Sequence, residues 1–140
     1  MKRILITLAF LIGCSGLIFA QDIKEYNAVV NSVYDGDTIT AVFSLGFGIT
    51  IEEKCRLIGI DTSEIRTKDP IEKQKGLATR DFVRERILGK EVVIKTSGKG
   101  KFGRILSEIL YINEEGEEVN LNHELIEEGL ALPYWGGKRD

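Results

Sequence analysis

The chain has 140 residues, of which 43% are hydrophobic and 29% charged, with a formal net charge of −3. That is room for one domain with one substantial core, and it excludes a repeat array or a long disordered segment. It also excludes a uniformly basic coat of the kind that holds nucleic acid by overall charge, so anion-binding groups must be gathered locally.

Residues 1–20 stand apart from the rest. Lys2 and Arg3 form a positive n-region, residues 4–19 are almost uninterrupted apolar sequence, and Ala20 offers a small residue before the polar sequence begins. This is the layout of an export leader, and the apolar run is short for a membrane span. The sequence Leu11-Ile12-Gly13-Cys14 also looks like a bacterial lipobox, which would make Cys14 a site of lipid anchoring. Cleavage near Ala20 is favoured over lipidation because apolar sequence continues past Cys14. The expected product is exported: secreted, periplasmic, or held at a membrane as a lipoprotein. Removing Lys2 and Arg3 takes the net charge from −3 to −5, so residues 73–101, rich in Lys and Arg, are the expected reserve of positive charge. Cys55 would then be the lone cysteine, a buried small hydrophobe in a strand.

The expected domain occupies residues 21–140. Residues 26–34 alternate loosely and predict a strand. Asp35-Gly36 follows, a dipeptide that suits a type I′ hairpin turn, and residues 38–43 make the returning strand. After a turn over residues 45–48, residues 49–60 predict a third strand. Residues 61–69 are a polar loop. A helix then begins with Asp69 as N-cap, Pro70 in the first turn and Glu72 three past the cap. Its apolar face is read from Ala78/Phe82 and Val83/Ile87, and Gly89 ends it. Residues 91–96 and 105–112 predict two more strands, joined by a loop rich in Gly and Lys. An acidic turn over residues 113–118 leads to a second short helix over residues 121–128. The order β-β-β-α-β-β-α is that of an OB-fold, so the expected class is α+β dominated by a five-stranded barrel, with no room for a third helix before Asp140.

Three short segments carry chemistry. In Asp35-Gly36-Asp37-Thr38 most of the signal is a turn, but Asp37 lies just past it, where a carboxylate can point across the barrel. In residues 56–64, Arg56 interrupts an apolar run that ends in Asp61, Thr62, Ser63 and Glu64. A charge among buried neighbours needs a partner or a task. Arg56 and Asp61 differ in strand parity, so Gly59 is the expected bend that brings them together. The third segment is Lys101-Phe102-Gly103-Arg104, where a basic loop enters a strand. Three acids and two arginines are the inventory for phosphodiester hydrolysis: hard oxygens for Ca2+, guanidinium forks for phosphate, and a carboxylate for the attacking water. His123 is expected on the exposed side of the second helix, neither ligand nor base.

Those segments resemble the staphylococcal nuclease (thermonuclease) family, whose D-G-D-T, R-x-x-x-x-D-T-P-E and Y-G-R motifs stand here at residues 35–38, 56–64 and 102–104. Residues 121–131 are similar to the family's second helix and the Gly-Leu-Ala after it. The resemblance implies a Ca2+-dependent endonuclease of DNA and/or RNA with little sequence preference, leaving a 5′-hydroxyl and a 3′-phosphate. It implies a metal site of Asp37, Asp61 and the Thr62 carbonyl. Glu64 would act as general base or water-positioning acid, Arg56 would bind phosphate, and Arg104 would stabilise the transition state. Two departures stand out: Phe102 lacks the hydroxyl of the family's tyrosine, and Ser63 replaces proline. Lys101 and Phe102 are candidate substrate contacts. Tyr134 and Trp135 either stack on a base or cover the barrel's open end. No obligate protein partner is expected, and a monomer is. The competing readings are a non-catalytic oligonucleotide-binding module and a structural envelope domain.

Overall fold

A computed structural model describes residues 22–136. The expected leader over residues 1–20, with Cys14, lies outside the described residues. β1 (Lys24–Val33), β2 (Thr38–Gly46) and β3 (Ile49–Leu57) form the antiparallel meander. β4 (Ile60–Thr62), α1 (Pro70–Ile87), β5 (Glu91–Thr96), β6 (Ile105–Ile112), β7 (Glu118–Asn120), α2 (Leu121–Glu127) and β8 (Ala131–Pro133) follow. The larger sheet runs β3-β2-β1-β5-β6-β7, and β3 also pairs in parallel with β6, Cys55–Leu57 against Ile105–Ser107. That last pairing closes five strands into the expected OB-fold barrel, β-dominated with two helices.

Alternation with period two fills the barrel. Ala28 and Val30 from β1, Ile39, Ala41 and Phe43 from β2, Cys55 and Leu57 from β3, and Ile94 and Ile109 beyond them are buried together. Val83 and Ile87 of α1 and Leu121 and Leu125 of α2 pack onto the same core. Each such Leu or Ile contributes about 1.5–3 kcal/mol over an exposed position. Cys55 is fully buried, as expected, and burial pushes its thiol up to about 11.

Four local expectations need correction. The predicted third strand breaks at Gly59, whose φ of 76° turns the chain, so β3 and β4 are separate strands in different sheets. The Asp35-Gly36 pair is not a type I′ turn, because neither residue has positive φ. Gly36 is small for another reason: a Cβ there would lie 2.5 Å from the Thr79 methyl and 2.9 Å from the Thr62 methyl. The buried stripe of α1 is Gly76, Thr79, Val83 and Ile87, with Ala78 exposed and Phe82 on the flank. Small residues form half of that stripe because the loops of the site approach it closely, and apolarity alone does not reveal them. Asp69 caps α1 by accepting from the Ile71 N–H at 2.9 Å. The reciprocal half of the capping box is absent: Glu72 accepts instead from the Glu64 N–H at 3.5 Å and the Thr67 hydroxyl at 3.4 Å. The first turn of α1 therefore holds the loop that follows β4. Two short strands, β7 and β8, were not predicted.

Candidate active site

The site forms where the start of β2, the end of β3 and the start of β4 meet. Thr38 and Arg56 are partners in the β2–β3 ladder, and the Leu57 N–H donates to the Asp37 carbonyl at 2.9 Å. The Gly59 bend then returns the chain, so that β4 passes Asp37 a second time. Arg56 lies inside that bend, its Nη1 donating to the Leu57 carbonyl and its Nη2 to the Ile60 carbonyl at 2.9 Å. The parity conflict between Arg56 and Asp61 disappears because the two residues are on different strands.

Buried Asp37 is the hub. Its Oδ2 lies 3.3 Å from Arg56 Nη2 and accepts from the Thr62 N–H at 3.4 Å; its Oδ1 accepts from the Thr38 hydroxyl at 3.1 Å. Asp61 Oδ1 lies 3.9 Å from the same Arg56 Nη2. Arg104 joins from the other side, its Nη1 donating to Thr38 Oγ1 at 3.4 Å. Residues more than 60 positions apart in the chain thus converge: Asp37, Arg56, Asp61, Thr62 and Arg104. Glu64 lies two residues past Thr62, and its backbone is pressed against α1, where a Cβ on Gly76 would come within 3.0 Å of the Glu64 carbonyl carbon. The site needs that glycine, since any side chain would push the loop outward.

Asp35 adds a carboxylate that the sequence reading gave to the turn alone. Its Oδ1 accepts from the Asp37 N–H at 3.1 Å. Burial first, and then the negative charge of Asp37, push its carboxyl up to about 6. Next to it Arg66 lies over the Tyr34 ring at 5.6 Å, drawing the loop after β4 back toward the β1–β2 turn. Asp35 lies in the D-G-D-T segment, where it reads as a turn residue, and Arg66 carries no motif that would single it out.

Whether these residues suit a metal depends on their donors. Among the described residues no three Asp, Glu, His or Cys side chains gather into a cage that alone could hold an ion. Two carboxylates sharing one guanidinium, beside a main-chain segment, are however hard oxygen donors of the kind a dication such as Ca2+ takes. Such an ion accepts six to eight oxygens and fills the remainder with water or phosphate. The set fits in kind and is open in number.

The predicted substrate contacts divide into two groups. Tyr134 and Trp135 follow β8, which pairs with β4, and the Tyr134 N–H donates to the Gly59 carbonyl at 2.9 Å. The Trp135 ring lies on Gly59, where a Cβ would meet Cη2 at 2.9 Å, yet the residue is 84% exposed. Both aromatics wall a cleft of about 450 Å³ that also includes Arg56, Ile58 and Leu106. Lys101 and Phe102 do not line this cleft. Phe102 borders a separate groove with Arg104, Thr40 and Glu53, and the Lys101 ammonium lies 5.0 Å over the Phe102 ring. The basic stretch of residues 73–101 is partly structural: Arg84 donates to the Val33 carbonyl at 3.0 Å, and Arg86 pairs with Glu124 while stacking on Phe82. His123 is exposed on α2, as expected.

Asn122 was missed altogether. Buried at the start of α2, it donates to the Ile58 carbonyl at 2.9 Å and the Ser107 carbonyl at 3.0 Å and accepts from the Ile109 N–H at 3.1 Å. It holds the strand just before Gly59, and so the floor of the cleft. A polar residue one turn before Leu125 and Ile126, on the apolar face of α2, is its only signal in the sequence.

A closed OB barrel with two arginines and two carboxylates gathered at one end is an architecture that suits a nuclease or nucleic-acid-binding module. The chain belongs to the family of staphylococcal nuclease homologues, which matches residues 54–138. The matched span includes Arg56, Asp61, Glu64 and Arg104; Asp37 lies before it and is joined to it by the contacts above. No curated protein matches the chain.

Proposed function

We propose that this protein is a Ca2+-dependent nuclease that hydrolyses phosphodiester bonds of DNA and/or RNA with little sequence preference, giving 3′-phosphate products. The observation that carries the reading is the convergence of Asp37 and Asp61 on the Arg56 guanidinium, at 3.3 and 3.9 Å. Carboxylates at a binding face repel phosphate unless a cation intervenes, and a guanidinium among them matches a phosphate oxygen.

Asp37, Asp61 and the Thr62 carbonyl would hold the ion, which supplies charge to polarise a phosphoryl oxygen and order a water. Arg56, fixed by the Leu57 and Ile60 carbonyls, orients the scissile phosphate. Arg104 reaches the same place across Thr38 and meets the charge that grows in the transition state. Glu64 takes or aligns the proton of the attacking water. Tyr134 and Trp135 offer ring faces to a base in the cleft beside Arg56, and Lys101 and Phe102 contact the strand beyond Arg104. We place the enzyme outside the cytoplasm, exported through residues 1–20 as a monomer, either released or retained through Cys14.

Plasmid incubated with the protein and Ca2+, and again with EGTA in excess, tests this reading. Loss of supercoiled DNA that chelation abolishes is the expected result. Retarded but intact plasmid in calcium would replace the proposal with a non-catalytic binding module.

A further inference from the structure

The two arginines of the site are held in different ways. Arg56 is gripped by the Leu57 and Ile60 carbonyls and faces the Asp37 and Asp61 carboxylates. Arg104 forms no ion pair among the described residues, and Thr38 Oγ1, at 3.4 Å, is the one acceptor its guanidinium meets there. The main chain fixes only the base of that side chain: the Arg104 carbonyl accepts from the Gly100 N–H at 2.8 Å. An arginine, long and free in its rotamers, needs a contact at its far end to meet a phosphate in one orientation.

The Thr38 hydroxyl has a single proton. It gives that proton to Asp37 Oδ1, at 3.1 Å, because an ionised carboxylate only accepts. A guanidinium only donates, so the same oxygen meets Arg104 with a lone pair, and one placement of the hydrogen satisfies both contacts. Donation to the carboxylate polarises the oxygen and makes it a better acceptor. A carboxylate in its place would hold Arg104 more firmly but would cancel the charge that a phosphate must meet. A neutral oxygen orients the cation and leaves its charge in force.

Thr38 is also placed to set the spacing of the two guanidiniums. It is the ladder partner of Arg56, so both side chains rise from one face of the β2–β3 pair, with Cβ atoms about 4.5–5.5 Å apart. Branching at Cβ limits Thr38 to few rotamers, which fixes its hydroxyl relative to Arg56.

We propose that Thr38 is the positioning residue for Arg104. Its hydroxyl, bound at once to Asp37 and Arg104, joins the carboxylate side of the site to the second guanidinium and holds that guanidinium beside Arg56. The effect on cleavage rests on the nuclease reading above; the tether itself is measurable without substrate or calcium.

Two measurements on the full chain test it. The first is rotation about the Arg104 Nε–Cζ bond, followed by nitrogen NMR without substrate or calcium and assigned by its loss in Arg104→Ala. Rotation should quicken severalfold in Thr38→Val and stay slow in Thr38→Ser, which keeps the hydroxyl. The second is single-turnover cleavage at saturating calcium, which removes any effect of Thr38 on ion affinity through Asp37. The rate should fall about tenfold or more in Thr38→Val and largely recover in Thr38→Ser. In an Arg104→Ala background, Thr38→Val should lower it by less than about threefold, because the arginine that Thr38 positions is gone. Thr38→Ala, which removes the hydroxyl without valine's branch, should match Thr38→Val in both measurements. An unchanged rotation in the valine and alanine variants, or a tenfold loss that persists without Arg104, would overturn the proposal and leave the nuclease reading intact. No cleavage by the unsubstituted protein, with rotation still governed by Thr38, would sink the nuclease reading and leave the tether standing.

Discussion

Replacing Asn122 by leucine tests whether the floor of the cleft is held as described. The side chain is 3% exposed and makes three hydrogen bonds to main-chain groups. Leucine fills a similar volume, so the cost is mainly in lost partners. The Ser107 carbonyl keeps the Ile58 N–H at 3.0 Å and is largely spared. The Ile109 N–H loses its acceptor in a buried strand, and the Ile58 carbonyl loses a donor in a half-buried one. At about 1–3 kcal/mol for a buried orphan and less for one that water can reach, the total is about 2–4 kcal/mol. With an m-value on the order of 1.5–2 kcal/mol/M, the urea midpoint should fall by about 1–2.5 M. A fall of less than about 0.3 M would refute the reasoning, because those bonds could then not be holding the strand before Gly59.

Gly36→Ala should cost about 1–3 kcal/mol as an overpacked contact, since its Cβ would meet the Thr79 methyl at 2.5 Å. Thr79→Ser, which removes that methyl, should recover part of the loss in a thermal melt of the double variant. Arg104→Ala should lower cleavage by about two to three orders of magnitude, with a change in stability within about 1 kcal/mol; single-turnover cleavage and urea unfolding measure the two effects. Alkaline unfolding should report Cys55, whose thiol moves from 9.0 to about 11 on burial. Between those values the unfolded chain has shed a proton that the native chain keeps, so stability is intact below pH 9 and falls as the pH rises, by about 2–3 kcal/mol in total. Tyr111, pushed up to about 12, adds to the fall above pH 10. The slope from pH 9 to 10 should therefore be the part that Cys55→Ala abolishes.

Much of this architecture was legible in the amino acids. The meander, α1 with Asp69 and Pro70, and β5 and β6 were readable because burial on one face imposes a period that side chains reveal locally. Arg56 stands out as a charge inside an apolar run, Asp37, Asp61 and Arg104 as charged residues at strand ends within three motifs of the resembled family, and Gly59 as the bend between Arg56 and Asp61. What stayed hidden depended on distant neighbours. Gly36 looked like a turn residue because Asp-Gly favours turns, whereas its smallness serves the approach of Thr79 and Thr62. Gly76 and Thr79 escape the apolar period of α1, because a helix lying close to loops buries small residues there. Asp35 stands in the D-G-D-T segment but reads there as a turn residue, and the Arg66–Tyr34 pair carries no pattern of its own; its position follows from how the loop after β4 folds back.

The most direct test of the account is the calcium dependence of cleavage in Asp37→Asn, Asp61→Asn and the double variant. If the two carboxylates share one ion beside Arg56, each single substitution should raise the half-saturating calcium concentration about tenfold or more, and the double should fall short of the product of the singles. Effects that multiply in full, or cleavage indifferent to calcium in all three, would contradict a shared ion and with it the proposed site.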